Sequence, residues 1–279
     1  MKKVIDLSAH NRIPTDWTAV KHSVDGVILR CGYRGYGAKG TLVEDKKFRQ
    51  FRDACESFNI PYGVYFFPTS LSCAEAIEEA DFTVDLIKGC NLAFPIFADS
   101  EHAEPKLKLG RSDRLSKEDR TRFLVSYLER LKSYGYEGGV YASTSWFKDH
   151  LEDSKLLKYP HWVAQYASEC KYTGDKVGWQ YSSRSSIPGI PGFVDVSEWY
   201  DPAEVRIAKP VLRRKCVGVE VRYLQDNLCR CGFIVDCDGR LGPNSEANLI
   251  AWQIANDLVG DGIYGPKSYA KMQSLLTQK

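Results

Sequence analysis

The sequence predicts an α/β protein: a modified TIM-like barrel of five βα units and three further strands, followed by a small all-α C-terminal domain of three helices. Three observations carry this expectation. Short β-branched or aromatic runs alternate with helical patterns over the first roughly two hundred residues. After residue 155 the gaps shorten and fill with Gly, Ser and Pro (SSRSSIPGIPG), which leaves no room for crossover helices before the last three strands. From Lys209 onward the strand candidates stop and helical segments take over.

Taken in order, the strand candidates are 4–8, 26–31, 62–67, 94–99, 139–142, 162–166, 178–181 and 193–196. Between the early ones lie helices with recognisable starts. Ser72 followed by Glu75 reads as a capping box, Ser116 followed by Asp119 repeats the pattern more weakly, and Gly135 closes the second helix. A short bridge around 201–208, with Pro202 and Pro210, marks the expected boundary: a barrel over 1–203, a linker at 204–209 and a helical domain over 210–279. Within the tail, DGRLGPNS at 238–245 recurs as DGIYGPKS at 261–268, and each copy precedes a helix. The repeat is either a structural turn in a helical bundle or part of a ligand-binding module.

Composition narrows the function. With 279 residues, 43% hydrophobic and 27% charged, the chain is an ordinary globular protein, and no apolar run reaches the ~18 residues of a membrane span. Lys plus Arg of 38 against Asp plus Glu of 36 is too even for a nucleic-acid binder. The start, MKKVIDLSAHN, has no apolar signal stretch, so synthesis in a cytoplasm is expected. Nine cysteines at irregular spacing do not describe a disulfide framework. Cys229, Cys231 and Cys237 form a C-x-C-x5-C run that lacks a fourth zinc ligand, so no metal and no cofactor are expected. The familiar serine-hydrolase, phosphate-loop and zinc-helix motifs are absent.

The chemistry concentrates in AFPIFADSEHAE, where Asp99 and Glu101 end an apolar strand. Residues i and i+2 of a strand share a side, so both carboxyls would project from the C-terminal rim, where barrel active sites form. Two like charges so close raise the proton affinity of at least one, which suits glycosidase chemistry. VIDLS and VDVS are near copies at the two ends of the barrel sequence, and closure would bring their Asp6 and Asp195 to the same rim. A metal site is the competing use of four carboxylates, but no histidine stands at ligand spacing. Tyr33, Tyr65, Trp162, Tyr166, Trp179, Tyr181 and Trp199 lie at or near strand ends as candidate platforms for sugar rings, and His102 and His161 are further candidates to line the site.

IDLS, ILRCGY, YGVYFFP, the D-x-E of Asp99 and Glu101, YAST, HWVAQY, GWQYS and VDVS, in this order over residues 4 to 199, resemble the family 25 glycoside hydrolases, the Chalaropsis-type lysozymes. The resemblance implies an N-acetylmuramidase that cleaves the β-1,4 bond between N-acetylmuramic acid and N-acetylglucosamine in peptidoglycan, with retention of configuration. It implies Glu101 as general acid, Asp99 as its partner carboxylate, and Asp6 and Asp195 as supporting acids. Arg30, Tyr65, Trp162, Tyr166, Trp179 and Gln180 fall on substrate-groove positions. Phe66 stands where the family often has histidine, a change expected to alter substrate contacts. The tail, with VEVRYLQDNLCRCGF before the first D-G-x-x-G-P turn, is similar to three-helix peptidoglycan-binding domains. Together these imply a phage or prophage endolysin that acts on the wall after release, with peptidoglycan as its partner and neither nucleic acid nor membrane. The alternatives are a non-catalytic wall-binding protein on a barrel scaffold and a chitinase-like glycosidase, although the D-x-x-D-x-D-x-E pattern of the latter is missing.

Overall fold

The computed structural model describes residues 1–103, 110–200 and 212–276 and falls into two compact units, 1–199 and 200–279. The 204–209 linker expected from the sequence lies outside the described residues.

The first unit runs β1 (Lys2–Leu7), α1 (Trp17–Ser23), β2 (Gly26–Arg34), β3 (Leu42–Glu44), α2 (Phe48–Ser57), β4 (Tyr62–Phe67), α3 (Cys73–Leu86), β5 (Ile96–Asp99), α4 (Lys117–Ser133), β6 (Gly138–Ser143), α5 (Thr144–His150), α6 (Asp153–Leu156), β7 (His161–Ala164), β8 (Gly178–Ser185) and β9 (Val194–Trp199). Parallel pairing links β1, β2, β4, β5, β6, β7 and β8 in sequence. Strand β9 closes the ring by pairing antiparallel with both β8 and β1. The barrel therefore has eight strands, with β3 as an extra strand hairpinned onto β2. At three residues β3 is too short to give a periodicity signal, and it is not among the candidate strands.

Helix starts follow the local chemistry. Ser72 and Ser116 accept hydrogen bonds from the N–H groups of Glu75 and Asp119, and Glu75 reaches back to the N–H of Leu71. Gly135, at φ +87°, turns the chain off α4, with its N–H donating to the Lys132 carbonyl and that of Tyr136 to Leu131.

Strand alternation sorts side chains into two cores. Ile5, Leu7, Val27, Leu29, Val64 and Phe66 point outward under the helices. Val4, Ile28, Phe97, Tyr141, Trp162 and Trp199 fill the barrel itself. Large rings fit inside because glycines face them: a Cβ on Gly178 would lie 2.6 Å from the Trp199 ring, and one on Gly139 2.6 Å from Phe97.

The second unit contains α7 (Val219–Arg230), α8 (Pro243–Ala255) and α9 (Pro266–Leu276) around Val221, Leu224, Leu228, Leu249, Trp252 and Met272. The internal repeat has a structural explanation here. Gln225 of α7 donates to Asp238 Oδ1, the Arg240 carbonyl and Ser245 Oγ, and accepts from the Gly239 N–H. Gln253 of α8 does the same to Asp261, Ile263, Ser268 and Gly262. Gly239 and Gly262 sit at φ +72° and +68°, the region glycine adopts without strain. Each D-G-x-x-G-P-x-S turn is thus clamped to the preceding helix by one buried glutamine. Gln253→Ala strands several buried polar groups and is expected to destabilise the C-terminal unit by about 1–3 kcal/mol, measurable by chemical denaturation.

Candidate active site

Asp99 is the last residue of β5, and the ladder continues one step further, since the Ser100 N–H donates to the Tyr141 carbonyl at 2.9 Å. That step keeps strand parity. Ser100 turns outward, where its Oγ accepts from Trp146 Nε1 at 3.0 Å, and Glu101 returns to the side of Asp99. Asp6 lies near the end of β1 and Asp195 near the start of β9; because β9 runs the other way, the two are directly paired across the strands. All four acids line one cleft of about 770 Å³ at the C-terminal mouth of the parallel strands. A second cleft of about 840 Å³ adjoins it and shares Glu101, Tyr141 and Tyr166. Glu101 therefore stands where the two arms meet.

The acids are crowded, and their protons are held tightly. Burial, then Asp195, push the Asp6 carboxyl well above its usual range, against the opposing hydrogen bond from Gln180 Nε2 at 2.8 Å. Burial, followed by Glu101 and Asp6, does the same to Asp99, and Arg30 draws it partly back. Burial also raises Asp195. Glu101 keeps solvent contact at the open groove, yet the surrounding walls and then Asp195 push its carboxyl up to about 7. Asp99 Oδ1 is buried without a hydrogen-bond partner. A carboxylate oxygen left unsatisfied inside a cleft is costly for folding and available to a ligand.

Removing one neighbouring charge has a readable consequence. Asp195→Asn takes away a negative charge that holds the proton on Glu101, so the pH at which Glu101 deprotonates falls. The alkaline limb of any activity requiring protonated Glu101 is expected to move to lower pH by up to about one unit, as measured by a pH profile of kcat/KM.

Of the sequence-predicted groove residues, the structure brings Arg30, Tyr65, Trp162, Tyr166 and Gln180 to the acid cleft. Arg30 is held by Asp45, its Nε donating to Oδ2 at 2.7 Å, with the guanidinium 5.3 Å from the Tyr33 ring centre. Trp162 is 2% exposed and packs 4.5 Å from Tyr141, so it forms the floor of the cleft. Tyr166 and Phe193, each 59% exposed, leave ring faces open to stack on a ligand, and the Tyr166 hydroxyl is bonded to Gln180 Oε1. Tyr141 donates to the same Gln180 oxygen, so Gln180 links two tyrosines to Asp6.

Trp179 does not reach the cleft. It precedes the inward-facing Gln180, so alternation turns its ring outward, where Nε1 donates to the Gln165 carbonyl. Tyr181 likewise packs on the outer core. Trp199 sits at the opposite mouth, paired with Lys2, because β9 is antiparallel. Phe66 also faces outward, stacked 6.1 Å from Tyr127, so the residue at that position touches helices rather than the cleft. His161 is buried between Tyr172 and the Leu156 carbonyl, away from the acids, whereas His102 does line the cleft.

Sequence reasoning missed Ser8, His10, Asn11, Tyr36, Tyr141 and Phe193, which also line the cleft. It missed Asp45 too, which accepts from Arg30 and from the Ala9 N–H and so ties the loop after β1 to the cleft wall. Tyr141 had a usable signal, since it pairs with Asp99 in the adjacent strand.

A model of the glycosyl hydrolases family 25 matches residues 5–190, and a model of a putative peptidoglycan binding domain matches residues 217–272. The autolytic lysozyme of Clostridium acetobutylicum is 26% identical over 269 residues, covering 94% of this chain and 76% of that protein. Among solved structures, the modular autolysin LytC from Streptococcus pneumoniae is 34% identical with a TM-score of 0.63; the match covers 71% of this chain and only 46% of LytC. The CTP1L endolysin shares the fold at 24% identity and a TM-score of 0.60, over 82% of this chain and 80% of its own.

Proposed function

Since the chain belongs to the glycosyl hydrolases family 25, we propose that it is a retaining N-acetylmuramidase that hydrolyses the β-1,4 bond between N-acetylmuramic acid and N-acetylglucosamine in peptidoglycan. The observation that carries this reading is a pair of crowded carboxyl groups on one cleft, which cannot both ionise freely. Glu101, with its carboxyl pushed up to about 7, stands at the junction of two clefts, and Asp99 presents an unsatisfied oxygen inside one of them.

The chemistry follows from that arrangement. A glycan chain lying along both arms places the scissile bond beside Glu101, which protonates the glycosidic oxygen as the bond breaks. Positive charge develops on the sugar in the acid-rich arm, where Asp99 stabilises it; we favour Asp99 orienting the substrate's own acetamido group as the nucleophile over direct attack. Water then completes the reaction, with deprotonated Glu101 as the base. Gln180 holds Asp6 in place and Tyr166 offers a face for a sugar ring.

The C-terminal unit belongs to this function as a peptidoglycan-binding module that raises the enzyme's local concentration on an insoluble substrate. The likeness to an endolysin and the nine free cysteines support synthesis in a reducing cytoplasm and release to the wall, as in a phage endolysin.

The test is clearance of a suspension of susceptible cell walls by the purified chain, with identification of the new reducing ends. N-acetylmuramic acid at those ends supports the proposal; new amino termini, N-acetylglucosamine ends or no clearance overturn it. Truncation after residue 208 is expected to weaken sedimentation with walls while sparing hydrolysis of soluble glycan fragments.

A further inference from the structure

The C-x-C-x5-C run of the tail is not absorbed by the function above, and its geometry is specific. Cys229 lies in the last turn of α7 and is exposed. Gly232, at φ +91°, reverses the chain there, with its N–H donating to the Cys229 carbonyl and that of Phe233 to Leu228. The returning segment brings Cys237 back beside the helix end, so that its sulfur lies 3.9 Å from that of Cys229. Both thiols are directed at the Val235 carbonyl. Cys231 is turned away, with its sulfur 3.6 Å from that of Met272. Among the described residues no group of three His, Cys, Asp or Glu side chains is placed to hold a metal ion.

We propose that Cys229 and Cys237 are a dithiol site that a small-molecule disulfide, such as glutathione disulfide, oxidises to an intramolecular disulfide. The exposed Cys229 reacts first: its thiolate attacks one sulfur of glutathione disulfide, the S–S bond breaks, and one glutathione thiolate leaves. Cys237 then attacks the Cys229 sulfur. Cys237 releases its proton to solvent as it attacks, and the second glutathione departs as a thiolate, which takes up a proton in turn. Two protein thiols and one glutathione disulfide become one protein disulfide and two glutathiones. Burial, then the Asp226 carboxylate, push the Cys237 thiol up, which disfavours its thiolate, so the exposed Cys229 attacks first and ring closure by Cys237 is the slower step.

The consequence is local. Cys237 precedes Asp238, the first residue of the turn clamped by Gln225. Closing the pair would pin the end of α7 to that turn and shorten the free loop between them, a clasp open in a reducing compartment and shut outside it.

Full-length protein equilibrated in glutathione buffers of rising oxidised-to-reduced ratio, alkylated and peptide-mapped, tests this. The expected result is joint loss of the two thiols, recovery of a linked peptide joining 229 to 237, and reversal by dithiothreitol. Cys231→Ser should behave as the parent, and Cys237→Ser should stop at the mixed disulfide on Cys229. Asp226→Asn removes a negative charge that holds the proton on Cys237, so it should close the ring faster than the parent and leave less of that mixed disulfide; slower closure counts against Cys237 as the second attacker. A parent protein that stays reduced where a free-thiol peptide oxidises, retains the mixed disulfide, or links Cys231 instead would overturn the proposal.

Discussion

Glu101→Gln is expected to lower the rate of wall hydrolysis by roughly 10²- to 10⁴-fold, with wall binding and the melting transition retained. Glutamine keeps the shape and a hydrogen-bonding head but has no proton to give to a leaving glycosidic oxygen. The effect should fall on kcat more than on KM, because proton transfer is needed only as the bond breaks. The unmutated enzyme should show the same dependence through pH. In the proposed mechanism Glu101 acts as an acid only while protonated, so activity is expected to decline as pH rises through about 7. A residual rate in Glu101→Gln within a few-fold of the parent, on walls to which both proteins bind equally, would remove Glu101 from the mechanism.

How much of this site is legible in the sequence depends on the range of the signal. Asp99 and Glu101 are related by strand parity alone, so two-residue spacing is enough. Asp6 and Asp195 are far apart in the chain, and the near-copies VIDLS and VDVS together with ring closure place them on one rim, although nothing in the pattern announces the antiparallel sense of β9. That same sense sends Trp199 to the far mouth. Trp179 and Phe66 are misplaced by the sequence reading because a motif groups neighbours while a strand sends them to opposite faces. Nothing local points to Asp45, which meets Arg30 across 15 residues of chain. The clamps behind the internal repeat are hidden in a similar way: Gln225 lies 13 residues before Asp238, but Gln253 only 8 before Asp261. A turn motif of fixed length is visible, and its partner at variable distance is not.

Asp99→Asn should separate activity from stability. Turnover is expected to fall roughly 10²- to 10³-fold, because in the proposed mechanism a neutral amide can neither stabilise positive charge on the sugar nor orient its acetamido group as Asp99 does. Stability at neutral pH should move the other way, by about 1–3 kcal/mol, since a buried carboxylate oxygen without a partner, crowded by Glu101 and Asp6, is replaced by an uncharged group. The sign of the pH dependence follows from the raised proton affinity of Asp99. Between the ordinary carboxylate range of the unfolded chain, about 4, and the higher value in the fold, the native state holds a proton that the unfolded state releases, so stability falls as pH rises across that window. The parent should therefore lose stability between mildly acidic and neutral pH, and the variant should lose less. Urea denaturation of both proteins at pH 5 and pH 8 measures this directly. An Asp99→Asn variant that is both less active and less stable at pH 8 would mean that Asp99 is a structural acid, with its charge satisfied in the resting fold.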